Sequence, residues 1–405
     1  MTPRAVGQDK GSNGLRSTPA GTGRACWPTA TGQPTRMIAR GRDRAPCHHD
    51  GVICLSSCPG RVVPRLVGGG VAVLALAAIA GPVAAHGGAP DEAPTLASFV
   101  FDWSFEPLVA IPLVLAALVW LTLVDRAGRL HPGHPVSPWR TAAFFGGLAA
   151  VAMALMSGVE AYDTTLFSVH MVQHMLLTFA AAPLLVLAAP VTQLLRAASP
   201  EVRRRWILPI LHSGPVAVLG HPVVAWLTFT VVMWATHFSP LFDMALEDPF
   251  LHDIEHALFL GSALLFWWPV VGADPGPRRM GFAGRGLYLL LQMPPNSFLA
   301  VAILMAGAPL YPHYATLGSP YGIDPLADQQ LAAGLMWVVS DFVFIGAILL
   351  VVAAWMRQEE RDAPAVERRV ERERQRISQR AEELAARTGQ PGEPSSGGGQ
   401  ASRVR

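Results

Sequence analysis

“TAAFFGGLAAVAMALMSGVEAYDTTLFSVHMVQHMLLTFAAAPLLVLAAP”, residues 141–190, decides how this chain folds. It holds two apolar runs, 141–159 and 166–188, each near the roughly 20 residues that a helix needs to cross a bilayer. The connection between them, 159–165, carries Glu160 and Asp163 and no Arg or Lys. Reading outward, further apolar runs stand at 107–125, 222–238, 251–271, 286–307 and 332–355. Backbone groups inside lipid must be satisfied within the segment, so each run predicts an α-helix. The expectation is an all-α polytopic membrane protein, a bundle of seven transmembrane helices spanning 86–356.

The connections alternate in charge. Arg126, Arg129 and Arg140 fall between the first two runs, and Arg196, Arg203, Arg204 and Arg205 between the third and fourth. Arg278, Arg279 and Arg285 fall between the fifth and sixth, and Arg357 and Arg361 follow the seventh. The other connections, 86–106, 159–165, 239–250 and 308–330, contain no Arg or Lys and carry acids instead. Basic residues mark cytoplasmic loops, so the amino end is expected outside and the carboxyl end inside.

Composition agrees with this reading. The 405 residues are 51% hydrophobic and 15% charged, against about 25% charged in ordinary soluble domains. Residues 1–60 are rich in Gly, Pro, Thr and Arg without hydrophobic period and read as a disordered leader, with a mis-assigned start as the alternative. Residues 61–85 resemble a signal peptide or an extra anchor helix: Arg61 and Arg65, then Leu66–Ala80, then Val83-Ala84-Ala85. Cys26, Cys47, Cys54 and Cys58 all precede the apolar region, and with His48 and His49 they fit no zinc spacing. No thiolate is therefore expected in a site within the bundle.

Ser199-Pro200-Glu201 signals the start of a short helix on the cytoplasmic surface. Residues 357–405 read as a charged cytoplasmic tail, helical and then disordered. Val370, Ile377 and Leu384 are spaced by seven, as in a weak coiled-coil seam, although a solvated charged helix suits the composition better. Pro294-Pro295 is expected to break the sixth helix and free backbone carbonyls, with Asn296 placed to satisfy them.

Ionisable groups within a bilayer are functional-site candidates, because burying them is costly. His170 and His174 share a helix face with Gln173, and His252 and His256 repeat that spacing beside Glu255. His237 ends the fourth run, with Met233 one turn deeper. The topology puts all five histidines in the outer leaflet, within about 5–12 Å of the interface at 1.5 Å per residue. A lone histidine in a membrane helix is usually a packing residue; two HxxxH pairs and a fifth histidine at one depth favour a metal. Imidazole with thioether and carboxylate suits copper, with zinc or haem as chemical alternatives. Met233 and Asp341 are possible supporting residues, Asp341 having a structural hydrogen bond as its other reading. No catalytic residues are expected.

“HMVQHMLLTFAAAPLLVLAAP”, “WATHFSPLFDMALEDPFLHDIEHALFLGSALLFWWPVVG”, “APLYPHY” and “DQQLAAGLMWV” resemble the CtaG-like family of caa(3)-type cytochrome c oxidase assembly factors, over roughly residues 100–356. The resemblance implies a bacterial plasma-membrane protein that helps to mature a haem–copper oxidase, in copper delivery. His170, His174, His237, His252 and His256 are the motif histidines it carries over; their role as copper ligands is read from their chemistry. The partners then expected are cytochrome c oxidase subunits and the lipid bilayer, with no nucleic acid. Two other functions fit the residues: a b-type haem electron carrier with axial histidines from the third and fifth helices, and a copper transporter.

Overall fold

The computed structural model describes residues 90–276 and 278–389. The leader, the signal-like segment, the cysteines and the end of the tail lie outside the described residues. Every regular element among the described residues is helical. Six helical segments are long and apolar enough to cross a membrane. A seventh span, the fourth in order, is reached if a bent pair is taken as one.

Helix α1 (Pro107–Leu130) starts with proline at its first turn, where the missing N–H costs nothing. It buries Ala110, Ala117, Trp120 and Ala127 along one face. Trp120 stacks on Phe144 of α2 (Pro138–Met156), with ring centroids 4.3 Å apart. At Gly147 of α2 an added Cβ would stand 2.7 Å from Leu185 Cγ, so glycine is what allows the third span to approach. Ser157 then ends α2 and caps the short helix Gly158–Tyr162.

The third span opens as α3 (Phe167–Met175) and widens into a π-helical segment, Leu176–Ala181, before resuming as Ala182–Leu187. Pro183 lies just beyond the wide turn and supplies its cause: proline lacks the donor for a regular turn and crowds the carbonyl four residues back. The expected short helix after Ser199 forms as Pro200–Val202 and continues to Leu211, with Ser199 Oγ accepting from Val202 N.

The fourth span departs from an even run. Helix α4 (Pro222–His237) is 16 residues long, about 24 Å at 1.5 Å per residue and short of a bilayer core of about 30 Å. Ser239-Pro240 interrupts it, and α5 (Leu241–Glu247) leaves at 68°. Asp248 accepts from Phe250 N and Leu251 N, and so starts α6 (Pro249–Val271).

The sixth span corrects an expectation. Helix α7 (Phe282–Leu304) runs unbroken through Pro294 and Pro295. Neighbouring helices hold such a helix together when prolines remove its internal bonds. Asn296 does not turn back to the freed carbonyls. Its Nδ2 donates across to Ser340 Oγ at 2.5 Å, in the last helix.

After the short α8 (Pro312–Thr316), the seventh span and the tail form one continuous helix, α9 (Pro325–Thr388), which ends at Gly389 in the left-handed region. Val370, Ile377 and Leu384 are all exposed on it. The main apolar core joins the later spans, with Phe229, Phe266, Leu299, Ile303 and Phe344 essentially inaccessible.

Candidate metal centre

Two helices present their histidines in the same way. Phe167 begins α3 and Pro249 begins α6, so His170 and His252 are each fourth in their helix and His174 and His256 each eighth. A spacing of four keeps each pair on one face, about 6 Å apart along the axis. His237 closes α4 at the same end. The fold therefore gathers the five imidazoles at one end of the bundle, and their exposures run only from 0 to 4%.

The rings meet. His170 and His174 have Nε2 atoms 3.0 Å apart, a hydrogen bond in which one ring donates and the other accepts. Ring centroids are 4.2 Å apart for His252 and His256, 5.3 Å for His170 and His252, and 5.9 Å for His174 and His256. His237 stands at the edge, 6.3 Å from His174, its Nδ1 donating to the Met233 carbonyl at 2.7 Å.

Carboxylates enter from two sides. Glu255 Oε2 lies 3.7 Å from His170 Nε2, and Asp163 Oδ2 lies 3.4 Å from His252 Nε2. Ligand atoms around a tetrahedral ion with bonds of about 2.0 Å stand about 3.3 Å from one another, so these separations are those of a ligand shell. Asp163, His170 and His252 form one group whose ligand atoms lie within 4.8 Å of each other; His170, His174 and Glu255 form another. Buried polar atoms normally have hydrogen-bond partners. Here His170 Nδ1, His174 Nδ1, His237 Nε2 and both Glu255 oxygens have none among the described residues. One of the two linked rings must carry its proton on Nδ1, so the unspent lone pairs are those of the other ring, of His237 Nε2 and of Glu255, and these are what a cation would use. Burial also pushes the Asp163 carboxyl, which lies in the loop between spans, up to about 8.

A second layer orients the first. Gln173 Oε1 accepts from His256 Nε2 at 3.0 Å, while its amide Nε2 donates to Glu160 Oε2 at 2.6 Å and to the Ala154 carbonyl at 3.1 Å. That chain fixes the His256 tautomer, as outer hydrogen bonds do at metal sites. Phe259 stacks on His174 at 3.8 Å, and Phe242 lies against His170 at 5.0 Å. The segment containing α8 covers the cluster: Tyr314 donates to the Asp163 carbonyl at 2.6 Å, and His313 Nε2 to the Thr164 carbonyl at 2.8 Å.

The two supporting candidates sit differently. Met233 belongs to the apolar core and meets the cluster through its carbonyl. Asp341 lies beside Ser297 and Trp337, in the packing of α9 against α7. In the sequence alone Asp163 and Glu160 read only as loop charges, and Glu255 stands beside the histidines without being a ligand candidate. The signal available for Asp163 was its place in the short loop directly before an HxxxH helix.

The fold and site define a class: a polytopic helical membrane protein with a buried histidine–carboxylate cluster at the acid-bearing end of its bundle. More particularly, the chain belongs to the cytochrome c oxidase caa3 assembly factor family (Caa3_CtaG), whose profile matches residues 118–358. That family is one of assembly factors and not of catalysts. The chain is 33% identical over 282 residues to uncharacterized proteins of Mycobacterium bovis and Mycobacterium tuberculosis, and 32% identical over 280 residues to one of Mycobacterium leprae. The matched segments take in 67 to 68% of this chain and 42% of each relative, so the chain spans less than half the length of these relatives. No solved structure matches the chain significantly.

Proposed function

We propose that this protein is an assembly factor for a haem–copper cytochrome c oxidase in a bacterial plasma membrane, and that it binds copper in the histidine cluster, on the exterior side, and delivers it to an oxidase subunit. The family supports the assembly role. The observation that carries the copper reading is the convergence of five buried imidazoles from three helices, with two carboxylates and unspent lone pairs. Nitrogen and oxygen donors without thiolate suit copper in an oxidising compartment.

The other two functions fit this geometry less well. An axial haem pair needs a macrocycle between its rings, and here the imidazoles touch one another, Phe259 and Phe242. A transporter needs a polar path onward. Beyond the cluster Phe229, Phe266, Trp267 and Phe344 pack together, Gln292 accepts from Thr230, and Asn296 Nδ2 donates to Ser340, so apolar rings separate these few polar groups from the cluster.

The test is metal analysis of the detergent-purified protein. Copper should co-purify with or bind to the wild type, and His174→Ala with His256→Ala should remove it and lower oxidase activity in the host membrane while insertion persists. Wild-type copper content in the double variant would overturn the reading.

A further inference from the structure

The candidate ligands form two triads at two depths. Asp163, His170 and His252 make one; His170, His174 and Glu255 make the other. Asp163 precedes α3, and His170 and His252 stand in the first turns of α3 and α6. His174 lies one turn below His170, and Glu255 three residues below His252, which sets the second triad about 5 Å deeper. His170 belongs to both.

We infer that the cluster is a two-position relay: a copper ion enters on Asp163, His170 and His252, then moves inward to His174 and Glu255 while His170 keeps hold of it. This rests on the copper reading above. Each position offers one carboxylate and two imidazoles. The move therefore breaks one carboxylate bond and one imidazole bond and forms one of each. No electron is transferred, and the donor charge is the same before and after. Two positions of equal donor set hold an ion with similar strength, which favours passage over storage. A neutral imidazole offers one lone pair, so the shared His170 serves one ion at a time and saturation should come at one copper per chain. Nitrogen and oxygen donors suit Cu(II), which is the probe to use.

Stopped-flow mixing of Cu(II) with the full-length protein in detergent separates the positions, each variant first being checked for helical content and elution volume. Asp163→Asn should act mainly on entry, slowing association about tenfold through loss of the outer carboxylate ligand. Glu255→Gln should act mainly on retention, speeding dissociation about tenfold. His170→Ala should impair both. Where Asp163→Asn does not fold, His252→Asn reports on the same outer position. The relay is overturned if the outer and inner variants change the same rate constant, or if the wild type saturates at two coppers per chain. A wild type that binds no Cu(II), or a variant lacking all five histidines that binds like the wild type, would instead remove the copper reading and the relay with it.

Discussion

At the arginine-bearing end of the bundle, several polar side chains are spent on backbone. Asp274 accepts from Val191 N, Thr192 N and Thr192 Oγ1 at 3.1, 2.6 and 2.6 Å, which holds the start of the helix Pro190–Ala197. Arg285 donates to the carbonyls of Met280 and Val271, and Arg196 to that of His134. At the opposite end, Glu255 and the histidines are equally buried, but several of their lone pairs face one another instead of donors. Both ends bury polar atoms without partners, Arg203 Nε and Trp268 Nε1 at the arginine-bearing end among them, but the unpartnered imidazole nitrogens gather at the other. A satisfied buried group is accounted for by stability; a cluster of unpartnered groups calls for a further account, which a bound ion or water would supply.

The largest effect should come from removing the shared ring. His170→Ala takes one ligand from each triad, and copper affinity should fall by about a hundredfold or more, since even outer-layer partners are worth about tenfold to a hundredfold. Competition with a copper chelator measures it. Retention of wild-type affinity would show that the histidine end is merely packed, and the contrast between the two ends would collapse.

The seven apolar runs and the charge alternation of their connections were readable because the membrane imposes length and side on every segment. The five histidines were readable because helical spacing and topology together assign depth. Asp163 was not readable as a ligand candidate. Its position depends on how the loop after Tyr162 turns and on the cover that Tyr314 and His313 form from 150 residues away in the chain. The continuity of α7 through two prolines was missed for a related reason. Local propensity argues for a break there, and packing against α4 and α9 overrides it, with Trp234 Nε1 donating to the Pro295 carbonyl at 3.2 Å.

A smaller effect should follow from disturbing orientation without touching a ligand. Gln173→Leu fills similar space but removes the acceptor for His256 Nε2 and the donor to Glu160. The His256 ring then loses its fixed tautomer, and copper affinity should fall about tenfold. Gln173→Glu keeps the acceptor and should retain more of the affinity than Gln173→Leu. Equal loss in both would mean that Gln173 serves packing alone, and the layered order of the site would be wrong.

The smallest effect on copper, and the sharpest control, belongs to the other end. Asp274→Ala removes three hydrogen bonds to one carboxylate. Bonds to a charged group contribute about 1.5–3 kcal/mol each when intact, less whatever water restores. Asp274 is 6% exposed, so water restores little, and the helix start at Pro190 loses its anchor. The variant should therefore melt several degrees lower in detergent while binding copper with the wild-type stoichiometry. Asp274 lies beyond the far end of α6, some 18 residues from His256, about 27 Å along a helix, and effects at separated sites add instead of coupling. A variant that kept its melting temperature but lost copper would show that the two ends communicate and that the arginine-bearing end is not merely structural.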